Sequence, residues 1–414
     1  MINLLIFAFY YLLLAVPSSA ALEWPYGPLS TESRWIVNAN GDKVIYAGAN
    51  WPGAADTMIP EGLQYSSIAD IVSKIKNIGM NVIRLTYAIQ MIDEIYENGQ
   101  DTDIKTSLIN ALGETNGTSV YNAVVENNPQ FGPTTTRLDV FDAIAAECAE
   151  QEIYVHLDNH ISKAEWCCSS DDGNSWFWDT YFNVTSWKRG LSYMATHAVS
   201  WTSLTSMSLR NELREPDNST LDELSYNWHD WYINVVAAAD AINAANPDVL
   251  IFLSGLNFDT EFHPIPAGSD LGSGIVFNKS DFAYADKLVL EIHDYATVTS
   301  CSSEESRLYY NVLGALNTSD SDIVNIFPVV MTEWGLAQTT SGYTAAYASC
   351  LADILPEQQV GWMIWVLAGS YYIREGTQDY EESWGLFDHE WDDWRCPDCI
   401  EDDLIPMINA TLQG

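Results

Sequence analysis

Basic residues are scarce in this chain. Its 414 residues include 17 Lys and Arg against 57 Asp and Glu, which gives a formal net charge of −40 at pH 7. A surface of that sign repels phosphate backbones and anionic lipids, so the composition argues against nucleic-acid partners and stable membrane association. It fits a soluble protein that acts on uncharged ligands. Hydrophobic residues make up 47% and aromatic residues 12% of the chain, which is enough for a large core and excludes extended disorder.

Long hydrophobic runs are lacking beyond the N-terminus. The opening "MINLLIFAFYYLLLAVPSSAA" has an apolar stretch over residues 4–16 followed by small residues, the pattern of a secretory signal peptide. This stretch is shorter than the ~20 residues that a membrane-spanning helix needs. We therefore expect a signal peptide over residues 1–20, cleaved near Ala20 or Ala21, with an uncleaved signal anchor as the alternative. The C-terminal "MINATLQG" has no lipid-anchor tail.

Two further features predict a secreted, extracellular protein. Six asparagines each begin an Asn-x-Ser/Thr triplet without proline, the acceptor pattern for N-glycosylation: Asn116, Asn183, Asn218, Asn278, Asn317 and Asn409. The seven cysteines predict disulfides with one thiol left over. Cys148 lies in an apolar helical pattern and is the candidate free thiol. We interpret the CxxC of Cys396 and Cys399 as a local bridge, because no second CxxC at zinc-finger spacing supports a metal.

Short apolar, β-branched runs alternate with longer helical segments along the chain. Eight runs are predicted strands: 43–51, 81–88, 153–160, 204–212, 249–256, 288–295, 328–335 and 361–369. Helical patterns cover 66–79, 137–152, 186–201 and 226–246, and weaker ones lie near 304–317, 343–355 and 400–412. This alternation predicts an α/β fold, a (β/α)8 TIM barrel in one domain over residues 21–414. We expect the long connections at 89–136 and 161–185 to be loop insertions.

Polar residues end several of these strands, against the apolar bias of the strand interiors. In a TIM barrel the active site forms at the C-terminal ends of the strands. The strand-end residues are Asn50, Arg84, His160, Asn211, Glu212, His293, Tyr295, Glu333 and Trp365. A ring of polar side chains around one mouth of a barrel predicts a functional site.

Two of these residues, Glu212 and Glu333, are the pair of carboxyl groups that glycoside hydrolysis requires. One must be a protonated acid and the other an ionised nucleophile. Neighbouring Arg84 and Tyr295 would favour the charged form of Glu333, and that charge would favour protonation of Glu212. The pair predicts a retaining glycosidase with the two carboxyl groups about 5–5.5 Å apart.

Several motifs together resemble one family of enzymes. "GMNVIRL", "LDNH", "RNE", "HDY", "TEWG" and the tryptophan of strand eight resemble glycoside hydrolase family 5, the retaining cellulase-like barrels, over about residues 30–410. "LSTESRWIVNANG", "DNHISKAEWCC" and "SGLNFDT" are similar to a subgroup found in plants and fungi. The resemblance implies a monomer that hydrolyses β-linked glucan of the cellulose type by double displacement. It implies no metal and no organic cofactor.

The resemblance also assigns roles to individual residues. It implies Glu212 as acid/base, Glu333 as nucleophile, Asn211 as the partner of the sugar's 2-hydroxyl, and Arg84 as support for the nucleophile. The remaining site residues that it implies are the histidines His160 and His293, Tyr295 near the nucleophile, and Trp365 as the platform on which the sugar stacks. Asp158 shares the inward face of its strand with His156 and His160, so we expect it to support the site from behind.

One stretch departs from the family's pattern. The family often reads Asn-Glu-Pro, whereas here "LR" and Glu215 stand between Glu212 and Pro216. We interpret Glu215 as a rim carboxylate without a catalytic role. Six tryptophans in presumed mouth-side loops are candidate sugar platforms or core residues: Trp176, Trp178, Trp334, Trp384, Trp391 and Trp394.

Other functions remain open at this stage. β-Mannan, β-1,3-glucan or a glycoconjugate would use the same core residues, because specificity lies in the loops at 89–136, 161–185 and 370–395. "HLDNH" with His293 and Asp294 allows a metal-dependent hydrolase barrel as a competing hypothesis. A catalytically inactive carbohydrate-binding barrel is a further alternative, which the intact Glu212 and Glu333 oppose.

Overall fold

The described chain, residues 23–413 of a computed structural model, forms a closed barrel. The predicted signal peptide and its cleavage site lie outside the described residues. An antiparallel hairpin of β1 (Ser30–Glu32) and β2 (Trp35–Val37) precedes eight parallel strands. The barrel strands are β3 (Ala47–Trp51), β4 (Val82–Ala88), β5 (Tyr154–Ile161), β6 (Leu204–Ser208), β7 (Leu250–Leu253), β8 (Leu288–Asp294), β9 (Val329–Trp334) and β10 (Gly361–Ile364). Each strand pairs with its successor and β10 pairs with β3, so the predicted (β/α)8 barrel is confirmed.

Helices occupy the connections between the strands. They are α1 (Ile68–Asn77), α2 (Ile89–Asn98), α3 (Ile104–Leu112), α4 (Glu114–Asn127), α5 (Arg137–Glu150), α6 (Val184–His197), α7 (Ser219–Ser225), α8 (Trp228–Ala245), α9 (Cys301–Asn311), α10 (Thr340–Tyr343), α11 (Ala346–Gln358), α12 (Pro397–Cys399) and α13 (Ile405–Leu412). A second hairpin, β11 (Ser370–Arg374) and β12 (Thr377–Glu381), follows the last barrel strand. Among residues 23–413, no helix combines the length and the apolarity needed to cross a membrane.

The expectation of a loop over residues 89–136 is wrong. Three helices, α2 to α4, fill most of this segment. The Asp103 side chain caps α3 by accepting a hydrogen bond from the Thr106 backbone at 2.8 Å, and Gly113 at φ 81° ends it. Asp and Gly in these positions mark helix boundaries as well as loops. Residues 162–183, by contrast, run without helix or strand.

The amino-terminal end of the barrel interior is apolar. The inward side chains there form one buried cluster with residues around the first hairpin: Leu29, Ile36, Tyr46, Val82, Tyr154, Leu250, Phe252, Val289, Val330 and Met363. Trp24 stacks on Tyr154 with ring centroids 5.4 Å apart, which covers this end further. Burial of this cluster closes one mouth of the barrel, so the opposite mouth is left for polar side chains.

All seven cysteines lie in the described residues. Disulfides join Cys301 to Cys350, Cys396 to Cys399, and the adjacent pair Cys167 and Cys168. Within residues 23–413, Cys148 is the free cysteine, and it is fully buried on α5. The predicted free thiol and the predicted local bridge are therefore both confirmed.

Candidate active site

Glu212 and Glu333 face each other at the open mouth of the barrel. Glu333 lies on β9, whereas Glu212 lies four residues beyond the end of β6, not within a strand as predicted. The backbone of Glu212 is left-handed, at φ 50°. Its N–H donates to Asp259 Oδ2 at 2.7 Å and its carbonyl accepts from Arg214 Nη1 at 2.8 Å. These two bonds hold the turn that brings a Glu212 oxygen within 4.8 Å of a Glu333 oxygen.

Donors surround the carboxylate of Glu333. Arg84 Nη1 donates to Oε1 at 2.6 Å, and the Tyr295 hydroxyl donates to Oε2 at 2.9 Å. Although 41% of Tyr295 is exposed, desolvation of its hydroxyl group and the charges of Glu333 and Glu212 raise the pKa of Tyr295 above its usual value, so the phenol keeps its proton. This environment satisfies an ionised carboxylate and agrees with the predicted roles of Arg84 and Tyr295.

Arg84 connects three of the other predicted strand-end residues, Asn50, Asn211 and Glu333. It is fully buried, and its Nη2 lies 3.1 Å from Asp158 Oδ1 and donates to Asn211 Oδ1 at 2.8 Å. Asn50 Oδ1 accepts from Nη1 at 2.9 Å. Burial alone would disfavour the charge, but Asp158, Glu333 and Glu291 together raise the pKa of Arg84 above its ordinary value. Arg84 is therefore a cation that holds Glu333 and Asn211 in fixed relative positions.

Glu212 has a different environment. Its burial raises the pKa of the carboxyl group, against the opposing charges of Arg214, His160 and Arg84. His293 Nδ1 lies 2.9 Å from Glu212 Oε1. Glu212 is thus the carboxyl group favoured to be protonated, although burial, and not the charge of Glu333 as predicted, is the main cause.

A chain of hydrogen bonds assigns the tautomer of His293. Burial lowers the pKa of His293 to about 3, so the ring is neutral at ordinary pH. When Glu291 is ionised, the Thr332 hydroxyl donates to its Oε2 at 3.1 Å, and the Thr332 oxygen then accepts from His293 Nε2, also at 3.1 Å. The lone pair of the ring then lies at Nδ1 and accepts a hydrogen bond from the protonated carboxyl group of Glu212. Glu291 was not singled out in the sequence, because an acid inside a strand gives no periodic signal of its own.

A cavity of about 820 Å³ lies over the two carboxyl groups. Trp365 lines it and stacks on His160, with ring centroids 5.4 Å apart and planes 6° apart. His160 Nδ1 in turn lies 2.7 Å from Asp158 Oδ2, so Asp158 supports the site from behind as expected. A flat ring beside paired carboxyl groups suits a ligand that has both apolar faces and hydroxyl groups.

The tryptophan candidates separate into three groups. Trp384 lines the cavity. Trp176, Trp334 and Trp391 are buried in the core, so they are not sugar platforms. Trp178 is exposed and Trp394 half-buried, and both lie outside the residues that line the cavity. Sequence reasoning missed Trp166, which lines the cavity and lies under the Arg374 guanidinium at 3.5 Å. It lies in the irregular segment 162–183, where no periodic pattern marks it.

The metal hypothesis gains little support from the geometry. Among residues 23–413, two groups could offer three ligand atoms: Glu212 with His293 and Glu333, and Glu212 with Cys167 and Cys168. The histidines of "HLDNH" belong to neither group. The cysteines of the second group are joined in a disulfide, and the Arg84 cation lies 2.6 Å from the first group. A positive charge in that position opposes a bound cation.

The departure from the family's Asn-Glu-Pro pattern now has a structural reason. Arg214 is fully buried, forms an ion pair with Asp172, and donates from Nε to the carbonyl of Ser169 at 2.9 Å. It therefore ties the turn at Glu212 to the loop 162–183. Glu215 is exposed on the surface, in agreement with its interpretation as a rim carboxylate.

We expect Arg214→Leu to lower the free energy of unfolding by about 3 kcal/mol, because it leaves the nearly buried Asp172 unpaired. Glu215→Ala is the matched control one position along and should change it by less than about 0.5 kcal/mol. Urea denaturation followed by circular dichroism measures both. Equal effects of the two substitutions would contradict the role given to Arg214.

Known proteins resemble this chain in sequence and in fold. Residues 37–370 match the family profile "Cellulase (glycosyl hydrolase family 5)". A "Glycosyl hydrolase 5 family protein" of Chamaecyparis obtusa is 32% identical over 411 residues, which cover 96% of this chain and 68% of that protein. "Endoglucanase B" of Acetivibrio thermocellus is 22% identical over 80% of this chain, which spans 62% of that protein.

Solved structures share the fold at low sequence identity. The catalytic domain of the major endoglucanase from Xanthomonas campestris superposes with a TM-score of 0.64 at 15% identity, covering 93% of this chain and 100% of that one. A cellotetraose complex of an endocellulase variant from Pyrococcus horikoshii gives 0.65 at 16% identity, with coverages of 92% and 98%. The profile match and the conifer relative show that this chain belongs to glycoside hydrolase family 5 and is a glycosidase.

Proposed function

We propose that the protein is a secreted retaining β-glycosidase that hydrolyses β-1,4-glucan of the cellulose type, with Glu212 as acid/base and Glu333 as nucleophile. The observation that carries the proposal is the pair of carboxyl groups in opposite environments. Both are buried, but burial raises the pKa of Glu212, whereas Glu333 accepts hydrogen bonds from Arg84 and Tyr295. An acid and a nucleophile differ in this way.

The separation of the two carboxyl groups supports retention. Retaining enzymes hold them about 5–5.5 Å apart, whereas inverting enzymes leave about 6.5–9.5 Å for a water molecule. Oxygens of Glu212 and Glu333 lie within 4.8 Å of each other, which favours the shorter class.

The proposed reaction has two halves. Glu212 donates its proton to the glycosidic oxygen while Glu333 Oε2 or Oε1 bonds to the anomeric carbon, and the bond to the leaving sugar breaks. Glu212, now ionised, takes a proton from water, which attacks the same carbon and releases Glu333. Neutral His293 accepts a hydrogen bond at Nδ1 from protonated Glu212, which favours the acid form that the first half of the reaction needs.

The substrate class rests on the cavity and on the relatives. Trp365 and Trp384 give apolar surfaces on which pyranose rings can pack. The relatives include a protein named endoglucanase and an endocellulase bound to cellotetraose. β-1,4-Glucan is therefore preferred over β-mannan, β-1,3-glucan and glycoconjugates.

Secretion is part of the proposal. Five of the six sequon asparagines are exposed and Asn317 is half-buried, so the acceptor sites are accessible. Three disulfides fit an oxidising compartment. Mass spectrometry of the secreted protein before and after glycan removal would test this part.

Azide rescue distinguishes the roles of the two glutamates. With a dinitrophenyl β-cellobioside, Glu212→Ala should still form the glycosyl-enzyme, and azide should then yield the β-glycosyl azide. Glu333→Ala lacks the nucleophile, so azide should attack directly and yield the α-glycosyl azide. Product anomers are read by proton NMR. Glu215→Ala is the control and should retain most of the wild-type rate without azide.

Two outcomes of that experiment would contradict the assignment. Exchanged anomers would reverse the two roles. Full activity of either alanine variant without azide would exclude that glutamate from the chemistry. A wild type that binds β-glycosides but turns none over would favour the carbohydrate-binding barrel.

The pH profile of kcat/KM should report the raised pKa of Glu212. Glu212 acts in its protonated form, so activity is present below its pKa and is lost as the pH rises through it. Because burial raises that pKa, the alkaline limb should lie above the ordinary glutamate value of about 4.3. A dinitrophenyl leaving group needs no proton from Glu212. The fall of kcat/KM at alkaline pH should therefore be much smaller for a dinitrophenyl glycoside than for a methylumbelliferyl glycoside. Identical alkaline limbs for the two substrates would contradict the role of Glu212 as the acid.

A panel of oligosaccharides tests the substrate. We expect kcat/KM to be highest for β-1,4-linked glucose oligomers, because the relatives that carry substrate names are endoglucanases. The matched controls are β-1,4-mannose and β-1,3-glucose oligomers of equal length, and NMR of the first product should show the β-anomer. A higher kcat/KM on either control would reassign the substrate while leaving the mechanism intact.

A further inference from the structure

The disulfide between Cys167 and Cys168 lies in the wall of the active-site cavity. Both residues line the cavity together with Asn211 and Glu212. Their sulfur atoms lie within 4.8 Å of a carboxylate oxygen of Glu212. The Nδ2 of Asn211 lies 3.3 Å from the sulfur of Cys168 and 3.7 Å from that of Cys167. The Cys167–Cys168 disulfide has no role in the proposed reaction.

A disulfide between adjacent residues contributes little to the stability of a fold. A disulfide restricts the unfolded chain in proportion to the logarithm of the loop that it closes. The loop here has a sequence separation of 1, against 49 for the bridge between Cys301 and Cys350. The contribution of this bond to global stability is therefore small, and its effect must be local.

The local effect falls on the amide of Asn211. Its Oδ1 already accepts from Arg84 Nη2 at 2.8 Å, and its backbone N–H donates to the carbonyl of Asn159 at 2.9 Å. A disulfide sulfur has no hydrogen, so it acts only as a weak acceptor. It therefore interacts favourably with an N–H of the Asn211 amide and unfavourably with the amide oxygen. The remaining N–H of the amide is left for a hydroxyl group in the cavity.

The disulfide is itself held from two sides. Arg214 fixes the carbonyl of Ser169, directly after the bridge. Trp166, directly before it, lies under the Arg374 guanidinium and packs edge-on against Trp365 with centroids 6.1 Å apart. A rigid support of this kind is what a preorganised hydrogen-bond donor needs.

We propose that the Cys167–Cys168 disulfide is a positioning element that holds the Asn211 amide with one N–H directed at the 2-hydroxyl of the sugar at the cleavage position. The inference rests on the proposed function, because it needs a sugar bound between Glu212 and Glu333. It assigns the cysteine pair to substrate recognition in the transition state, where the hydrogen bond to the 2-hydroxyl strengthens.

The test compares an aryl β-cellobioside with its analogue that lacks the 2-hydroxyl on the ring attached to the aryl group. The discrimination ratio is kcat/KM for the first substrate divided by kcat/KM for the second. The wild type should give a ratio of roughly 100 or more, because 2-hydroxyl contacts contribute strongly to the transition state. Asn211→Ala should collapse this ratio.

The decisive variant is Cys167→Ser/Cys168→Ser, which keeps the side-chain size but replaces the bond with two hydroxyl groups that can donate to Asn211 Oδ1. We expect its ratio to fall about tenfold, through kcat on the parent substrate, with little change on the 2-deoxy substrate. The triple variant Cys167→Ser/Cys168→Ser/Asn211→Ala should have the same discrimination ratio as Asn211→Ala alone. The matched control Cys396→Ser/Cys399→Ser removes a local bridge outside the cavity and should keep the wild-type ratio.

If the serine variant does not fold, chemical reduction of the disulfide provides a second test. The folded Cys396→Ser/Cys399→Ser protein is treated with tris(2-carboxyethyl)phosphine until peptide mapping shows Cys167 and Cys168 reduced, and the ratio is measured at once. A fall supports the proposal. A wild-type ratio in either the serine variant or the reduced protein overturns it, as does peptide mapping that finds both thiols free in the native protein. Turnover of neither substrate by the wild type would instead contradict the proposed function, and this inference with it.

Discussion

The arrangement at the open mouth of the barrel depends on one buried cation, Arg84. Its guanidinium contacts Glu333, Asp158 and Asn211 at 2.6, 3.1 and 2.8 Å. A buried charge is costly unless its partners satisfy it, and the same partners would be uncompensated acids without it. The barrel therefore holds Arg84 and the two acids as one unit, and the positions of the neighbouring site residues follow from that unit.

The two glutamates differ in their hydrogen-bond partners and in the raised pKa that burial gives Glu212. Arg84 donates directly to Glu333, whereas Glu212 contacts His293, which burial keeps neutral. The polar interior of the barrel continues inward through Thr332 and Glu291, so the tautomer of His293 depends on groups far from the substrate. The fold thus gives Glu212 and Glu333 different surroundings as well as fixed positions.

Much of the fold and the site could be predicted from local patterns. Strand and helix periodicities identified all eight barrel strands, and the polar residues at their ends include those that the structure brings together around Glu212 and Glu333. Failures occurred where the local signal is ambiguous or absent. Asn and Gly in residues 89–136 suggested a loop, although they lie within and between helices. Trp176 and Trp391 could not be told from Trp166, because exposure in irregular segments depends on distant contacts.

The sequence by itself determined the order of the eight barrel strands and which residue types stand at the open mouth. These properties follow from side-chain periods of two and 3.6 residues, which are local. Only the tertiary structure decided that Arg84 contacts a carboxylate 249 residues away, that Arg214 ties a turn to a loop, and that adjacent cysteines face Asn211. Such contacts join segments that no local pattern relates, because they exist only once the barrel has closed.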